Sequence, residues 1–422
     1  MQTLKNVSVA GAAMVAWLIC SFAWADGGPH PAAGAGWPCW RGPSHDGQST
    51  EVPAAMPKFK QLWKKRLAGR CDAGVTAGEG VVVVADSDGR RNDYYWCFQA
   101  DTGKELWVAK VRNNRKMAYG SAPRATPCIY KGKVIVLGAF GDLHCYNLKT
   151  GKPVWEKLYR KDFGAKPKPP EWGFTTPPLI VDGKLLLLPG DLIALDPETG
   201  KLLWKTRTAG PNYAAILPAT VAGKRQVIGY DAATVGGWDL AKGTRLWSAP
   251  ADNSKGYIVP TPVTVGEKLL LATESESARL FGFDAAGKLQ PSPLGTSKSL
   301  APEIATPTVV GKVVLGVTNG LICLDPADKL KTLWTQDEED AFQGMAHIVA
   351  NGERAMVFGD KGEMVMIRAT AQRCEILGRA KLGGGGKASV VWSHPALADG
   401  RIFLRDEKYI YAWEMLPRAG VE

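Results

Sequence analysis

Short apolar runs recur along the chain without polar alternation, as in Val134-Ile135-Val136-Leu137 and Leu185 to Leu188. A strand with one face in water would alternate, so these runs predict strands covered on both faces. A Gly turn precedes each run. Before the turn a shorter strand opens beside a proline, at Pro127, Pro178, Pro218, Pro262, Pro307 and Pro395. Proline has no N–H to donate, so it marks the start of a strand rather than its middle. After the run comes an eleven-residue unit, read from Cys145 to Trp155, in which one strand ends, Thr-Gly-Lys turns the chain, and the next strand runs to Trp. The unit recurs at Cys97 to Trp107, Ala194 to Trp204 and Gly237 to Trp247, and one residue longer from Cys323 to Trp334.

Repetition at this period predicts an all-β fold, a propeller whose four-stranded antiparallel blades bury their faces against one another. The Trp position falls at Trp63, Trp107, Trp155, Trp204, Trp247, about Leu289, Trp334 and about Leu377, which counts eight blades. Gln61-Leu62-Trp63 has no blade before it, so it is expected to be the outer strand of the last blade, whose other strands lie in Ser393 to Trp413. Closing the ring with an N-terminal strand removes exposed edges. The expected organisation is a targeting segment over 1–25, an arm over 26–57, an eight-bladed propeller over 58–415 and a tail over 416–422.

The targeting segment rests on Lys5, the apolar stretch Val7 to Phe22, and Ala23-Trp24-Ala25 before Asp26. It predicts a monomeric, periplasmic or secreted protein with no membrane span after cleavage. Cys20 as a lipid-attachment site is the alternative, and the bulky Ile19 before it argues against that. Seven other cysteines remain. Cys97, Cys145 and Cys323 share a repeat position that Ala194, Gly237, Gly282 and Ala412 fill elsewhere, which reads as packing. Cys39 and Cys71 fall outside the repeat and are candidates to pair. Two Trp in the arm, within Trp37-Pro38-Cys39-Trp40-Arg41-Gly42-Pro43, must bury against the ring, as a latch or as a lid over a ligand site.

The eleven-residue unit resembles the tryptophan-docking motif of pyrroloquinoline quinone (PQQ) dehydrogenases, and equally the repeats of the non-catalytic outer-membrane barrel-assembly lipoprotein of BamB type. The similarity spans about Phe59 to Trp413. The first resemblance implies PQQ with calcium, and it implies a disulfide of adjacent cysteines stacked on the quinone, for which this chain has no adjacent pair. Glu171 and Glu303, just before inner strands, and Trp172, as an aromatic floor, are its candidate cofactor residues. The second resemblance implies a scaffold with no cofactor.

The net charge of +11 permits an anionic partner without demanding one. Three successive blade-to-blade connections are basic, including Lys64, Lys65, Arg66 and Arg70, then Lys110, Arg112, Arg115 and Lys116, then Lys157, Arg160, Lys161, Lys166 and Lys168. The connection after blade six, Asp337 to Asp340, is acidic. Arg112, Arg115, Lys116, Arg160 and Lys161 are therefore the candidate contacts for an anionic macromolecule or envelope protein. An exported protein is not expected to bind nucleic acid. His347 and His394 sit at inner-strand starts of neighbouring blades, where they can meet, and no further metal ligand accompanies them. The function expected is a non-catalytic binding or scaffold protein for an envelope or extracellular macromolecule. The alternative is a PQQ-dependent oxidoreductase acting on an alcohol or sugar.

Overall fold

The computed structural model describes residues 36–417 except 114, 119, 121, 165–168 and 385–389. The expected targeting segment, Cys20, the start of the arm, Lys166, Lys168 and the end of the tail lie outside the described residues. Eight four-stranded antiparallel sheets form the ring. Blades 1 to 7 occupy 76–112, 128–158, 179–206, 217–250, 263–297, 308–336 and 346–381. Blade 8 joins Ala396–Ala398, Arg401–Arg405 and Tyr409–Leu416 to the N-terminal strand Lys58–Arg66. Trp63 pairs with Ala412 there, so the expected seam is the one observed.

Each blade has one column of residues running from channel to rim. In blade 1 it is Thr76, Val83, Cys97, Trp107, and in blade 2 Cys128, Ile135, Cys145, Trp155. The small third residue leaves room beside the indole. A bulge accompanies the Trp position in both sheets, between Cys97 and Phe98 and between Cys145 and Tyr146. A bulge of this kind bends the strand and re-aims a side chain, here the indole toward the following blade. The indole lands on that blade's turn glycine. A β-carbon on Gly103, Gly151, Gly200 or Gly243 would come within 3 Å of Trp63, Trp107, Trp155 or Trp204 in turn. Trp63, Trp107, Trp155 and Trp334 each donate Nε1 to a carbonyl of the next blade's turn, at 2.8 to 3.0 Å. Trp247 departs from this, donating to Gln226 Oε1 of its own blade at 2.7 Å.

Two columns differ from the sequence-based count. In blade 5 the rim residue is Gly295, paired with Leu280, while Leu289 sits in an isolated bridge to Phe283 and Gly282 falls outside the column. In blade 7 it is Gly378, paired with Met366, because Leu377 is the bulged residue. Both Trp-less columns end in glycine, and a neighbour fills the gap. Lys329, in the longer turn of blade 6, lies 2.4 Å from where a Gly295 β-carbon would be. Met56 of the arm does the same for Gly378.

Candidate functional site

The residues that open the inner strands line a cavity of about 290 Å³ on the channel axis. It lies at the face carrying the blade-to-blade connections, because each connection ends where an inner strand begins. The arm enters from the opposite face. Ser49 N–H donates to the Ala350 carbonyl, Gly400 N–H to Glu51, and Asn351 to the Val52 carbonyl, at 2.8 to 3.1 Å. Its tip reaches the cavity, where Trp40 and Arg41 form part of the lining.

Trp37 is fully buried, bridges Ala77 of blade 1, and stacks on His394 at 5.4 Å between ring centroids. Trp40 meets His394 edge-on at 5.1 Å. His347 and His394 do approach one another, with rings 4.8 Å apart. Neither reads as a metal ligand pair. His347 shares a hydrogen with the Trp392 carbonyl at 3.0 Å and His394 with the Pro395 carbonyl at 2.8 Å. Burial drives His347 down to about 4, and burial plus the neighbouring imidazole holds His394 well below the ordinary histidine range. Both rings are neutral at physiological pH.

Arg41 holds the plug. Its guanidinium donates to the Asp46 carbonyl at 2.6 Å, to the Pro307 carbonyl at 3.1 Å and to Thr308 Oγ1 at 3.2 Å. Burial lowers it to about 10, opposed by the negative charge of Asp46, which leaves it charged at neutral pH. The arm is thus hydrogen-bonded to the ring, and its tip forms part of the cavity wall.

Of the candidate cofactor residues, Trp172 and Glu303 line the cavity. Glu171 is exposed and lies outside the lining. Trp172 packs between Tyr213 and Tyr257, at 4.9 and 5.1 Å, and makes a wall. The charged pair Asp72 and Arg124 also lines the cavity and was not singled out from sequence. Their contact is 2.6 Å, and Arg124 also donates to the carbonyls of Trp172, Ala118 and Gly120. Charged residues placed just before two inner strands were the available signal.

The calcium implied by the dehydrogenase resemblance does not fit this donor set. Calcium takes about six to eight oxygen ligands, mostly carboxylate and carbonyl. Here Asp72 is committed to Arg124 and to Arg70, leaving Glu303 as the carboxylate available in the lining. Among the described residues no group of three His, Cys, Asp or Glu is placed to hold a metal.

The candidate partner residues lie apart from the cavity. Arg112 ends the outer strand of blade 1, and Arg160 and Lys161 sit in the short helix Tyr159–Phe163. All five are exposed. Arg115 stacks on the Phe140 ring at 4.4 Å. Among the described residues no ion pair engages Arg112, Lys116, Arg160 or Lys161. The acidic connection is partly neutralised, since Glu339 binds Arg379 and Asp340 contacts Lys361.

Fold and site together define an eight-bladed, tryptophan-docked PQQ-like propeller with a plugged channel. The family model described as outer membrane protein assembly factor BamB matches residues 58–167 and 162–349, and the chain belongs to that family. It is 27% identical over 244 residues to the assembly factor BamB of Burkholderia pseudomallei, covering 54% of this chain and 59% of that relative's length. BamB from Moraxella catarrhalis has the same fold, with a TM-score of 0.57 at 16% identity, over 86% of this chain and 99% of that one. So does the quinohemoprotein alcohol dehydrogenase of Comamonas testosteroni, with a TM-score of 0.64 at 14% identity, over 92% of this chain and 82% of that one.

Proposed function

We propose that this protein is a non-catalytic scaffold of the cell envelope, placed in the periplasm, that binds a protein of outer-membrane assembly. The observation that carries the reading is the rim of blades 1 to 3. Among the described residues, six of the eight exposed large apolar side chains lie on their outer strands: Leu106, Val108, Val154, Leu158, Leu202 and Leu203. On the N-terminal strand the exposed positions are instead Lys58, Lys60, Gln61, Lys64 and Arg66. Charged edges of that kind keep other chains away, whereas apolar ones invite them. The basic residues Arg112, Arg115, Lys116, Arg160 and Lys161 belong to the same sector, so the partner surface is apolar with an acidic border. Family membership and the poor fit of the cavity's donor set to calcium support the same reading. Among the described residues, no helix is long and apolar enough to cross a membrane.

Two measurements test it. Mature protein mixed with PQQ and calcium is expected to show neither a thermal shift nor dye-linked alcohol oxidation, and either response favours the oxidoreductase. Reversing Arg112, Lys116, Arg160 and Lys161 to Glu together is expected to lower affinity for purified soluble domains of the assembly machinery at least tenfold. High salt should weaken the wild type toward the variant. Equal, salt-independent binding by both proteins overturns the assignment of the sector.

A further inference from the structure

The two cysteines outside the repeat do not meet. Cys71 Sγ donates to the Pro123 carbonyl at 3.0 Å, within the connection between blades 1 and 2. Cys39 is carried by the arm to a different cysteine. Trp37 runs antiparallel to the inner strand of blade 1 at Ala77. The inner strand of blade 2 runs the same way as that of blade 1, and there Ile129 N–H donates to the Pro38 carbonyl at 2.8 Å. For antiparallel segments, such a bond sets the residue after the acceptor opposite the residue before the donor. These are Cys39 and Cys128. In a regular antiparallel ladder such a pair has Cα atoms roughly 4.5 Å apart, inside the range of about 4.4–6.8 Å that a disulfide spans. Both side chains are buried.

We propose that Cys39 and Cys128 form a disulfide that fastens the channel plug to blade 2. Two thiols give up two protons and two electrons. The electrons pass to a disulfide of the oxidised-glutathione class: one cysteine forms a mixed disulfide with it, the other displaces the second thiol, and two small thiols leave. The timing follows from burial. Contact with Cys128 and burial hold the Cys39 thiol well above its ordinary range. The thiolate is the attacking species, so exchange takes place while the arm is undocked, during folding. Once the plug is seated, the same burial keeps reductants away. An oxidising compartment suits this bond, and its geometry is independent of any partner on the rim.

The test is peptide mapping of the full mature chain refolded in a glutathione redox buffer, alkylated under denaturing conditions and digested without reduction. The expected result is one cross-linked pair containing Cys39 and Cys128, two hydrogens lighter than the sum of its peptides. Recovery of both cysteines alkylated, or of Cys39 joined to any other cysteine, overturns the proposal. The oxidised wild type should also melt roughly 5 °C above Cys128→Ser, whose midpoint should be the same in oxidising and reducing buffer. If Cys128→Ser does not fold, the map of the wild type still decides. The readout needs neither export nor a partner, so its failure is distinct from failure of the scaffold reading.

Discussion

Met56 lies over Gly378, so close that a β-carbon on the glycine would come 2.4 Å from Met56 Cγ. Gly378 holds the rim position that carries Trp in six other blades. Blade 8, next in the ring, has no turn there to receive an indole, because its outer strand comes from the other end of the chain. The arm reaches this gap immediately before that strand starts, and Met56 fills it with a flexible, unbranched side chain. Two irregularities, the lost Trp and the interrupted blade, compensate one another.

Met56→Ala should therefore behave as a core truncation although the residue belongs to an arm. The expected loss is about 2–4 kcal/mol, read from the urea unfolding midpoint of the full chain. A change below about 0.5 kcal/mol would mean that the arm does not pack there.

The docking of indoles on turn glycines gives a matched pair of substitutions. Gly132 and Gly151 both have left-handed φ, 70° and 67°. An added β-carbon meets nothing within 4 Å at Gly132, but lies 2.6 Å from Trp107 Cγ at Gly151. Gly132→Ala should lose about 1 kcal/mol from backbone strain alone. Gly151→Ala should lose about 2–4 kcal/mol, with the added overpacking. Combining Gly151→Ala with Trp107→Ala should cost less than the sum of the two. Additive losses would show that the contact is not energetically real.

The fold was legible because each blade repeats the same local devices, and any few copies reveal the period. The legibility failed where a copy had lost its Trp, since a glycine such as Gly295 or Gly378 is read as a turn until strand pairing is known. Burial of Trp37 and partial burial of Trp40 followed from their size, yet the position of Arg41 did not. Its partners are carbonyls of Thr306 and Pro307, some 265 residues away along the chain, and a backbone carbonyl has no sequence signature. Trp172 and Glu303 were placed near the channel by their position before inner strands, whereas Glu171, beside Trp172, points out to solvent.

Ring closure has an electrostatic seam as well as a hydrogen-bonded one. Arg405 of blade 8 and Asp86 of blade 1 are both fully buried, 3.6 Å apart. Arg405 also donates to the carbonyls of Gly69, Ala85 and Asp406, and Asp86 accepts from the N–H groups of Ala68 and Gly69 and from Trp96. Arg405→Met leaves the carboxylate without its counter-charge and should cost about 3–5 kcal/mol. Adding Asp86→Asn should recover part of that loss, because the amide carries no charge to strand. A double variant as unstable as the sum of the singles would show that the two groups are not coupled.

Asp93 gives the stability a pH dependence of known sign. It is buried beside blade 2, accepts from Asn113 at 2.8 Å, and lies near Asp142. Burial raises its carboxyl to about 7, opposed by Asn113 and Ser87 and assisted by Asp142 and Asp88. The folded state thus holds a proton that the unfolded chain releases near pH 4. Its contribution is fully present below that pH, is lost as pH rises toward 7, and changes no further above about pH 8. Asp93→Asn keeps the shape and removes the proton equilibrium. Asp86 and Asp360 are raised too, so the informative quantity is the difference between wild type and variant, not either curve alone. Urea unfolding from pH 4.5 to 8 should show the variant gaining on the wild type across the interval and running parallel to it afterwards. Curves parallel throughout would place an ionised Asp93 in the folded protein.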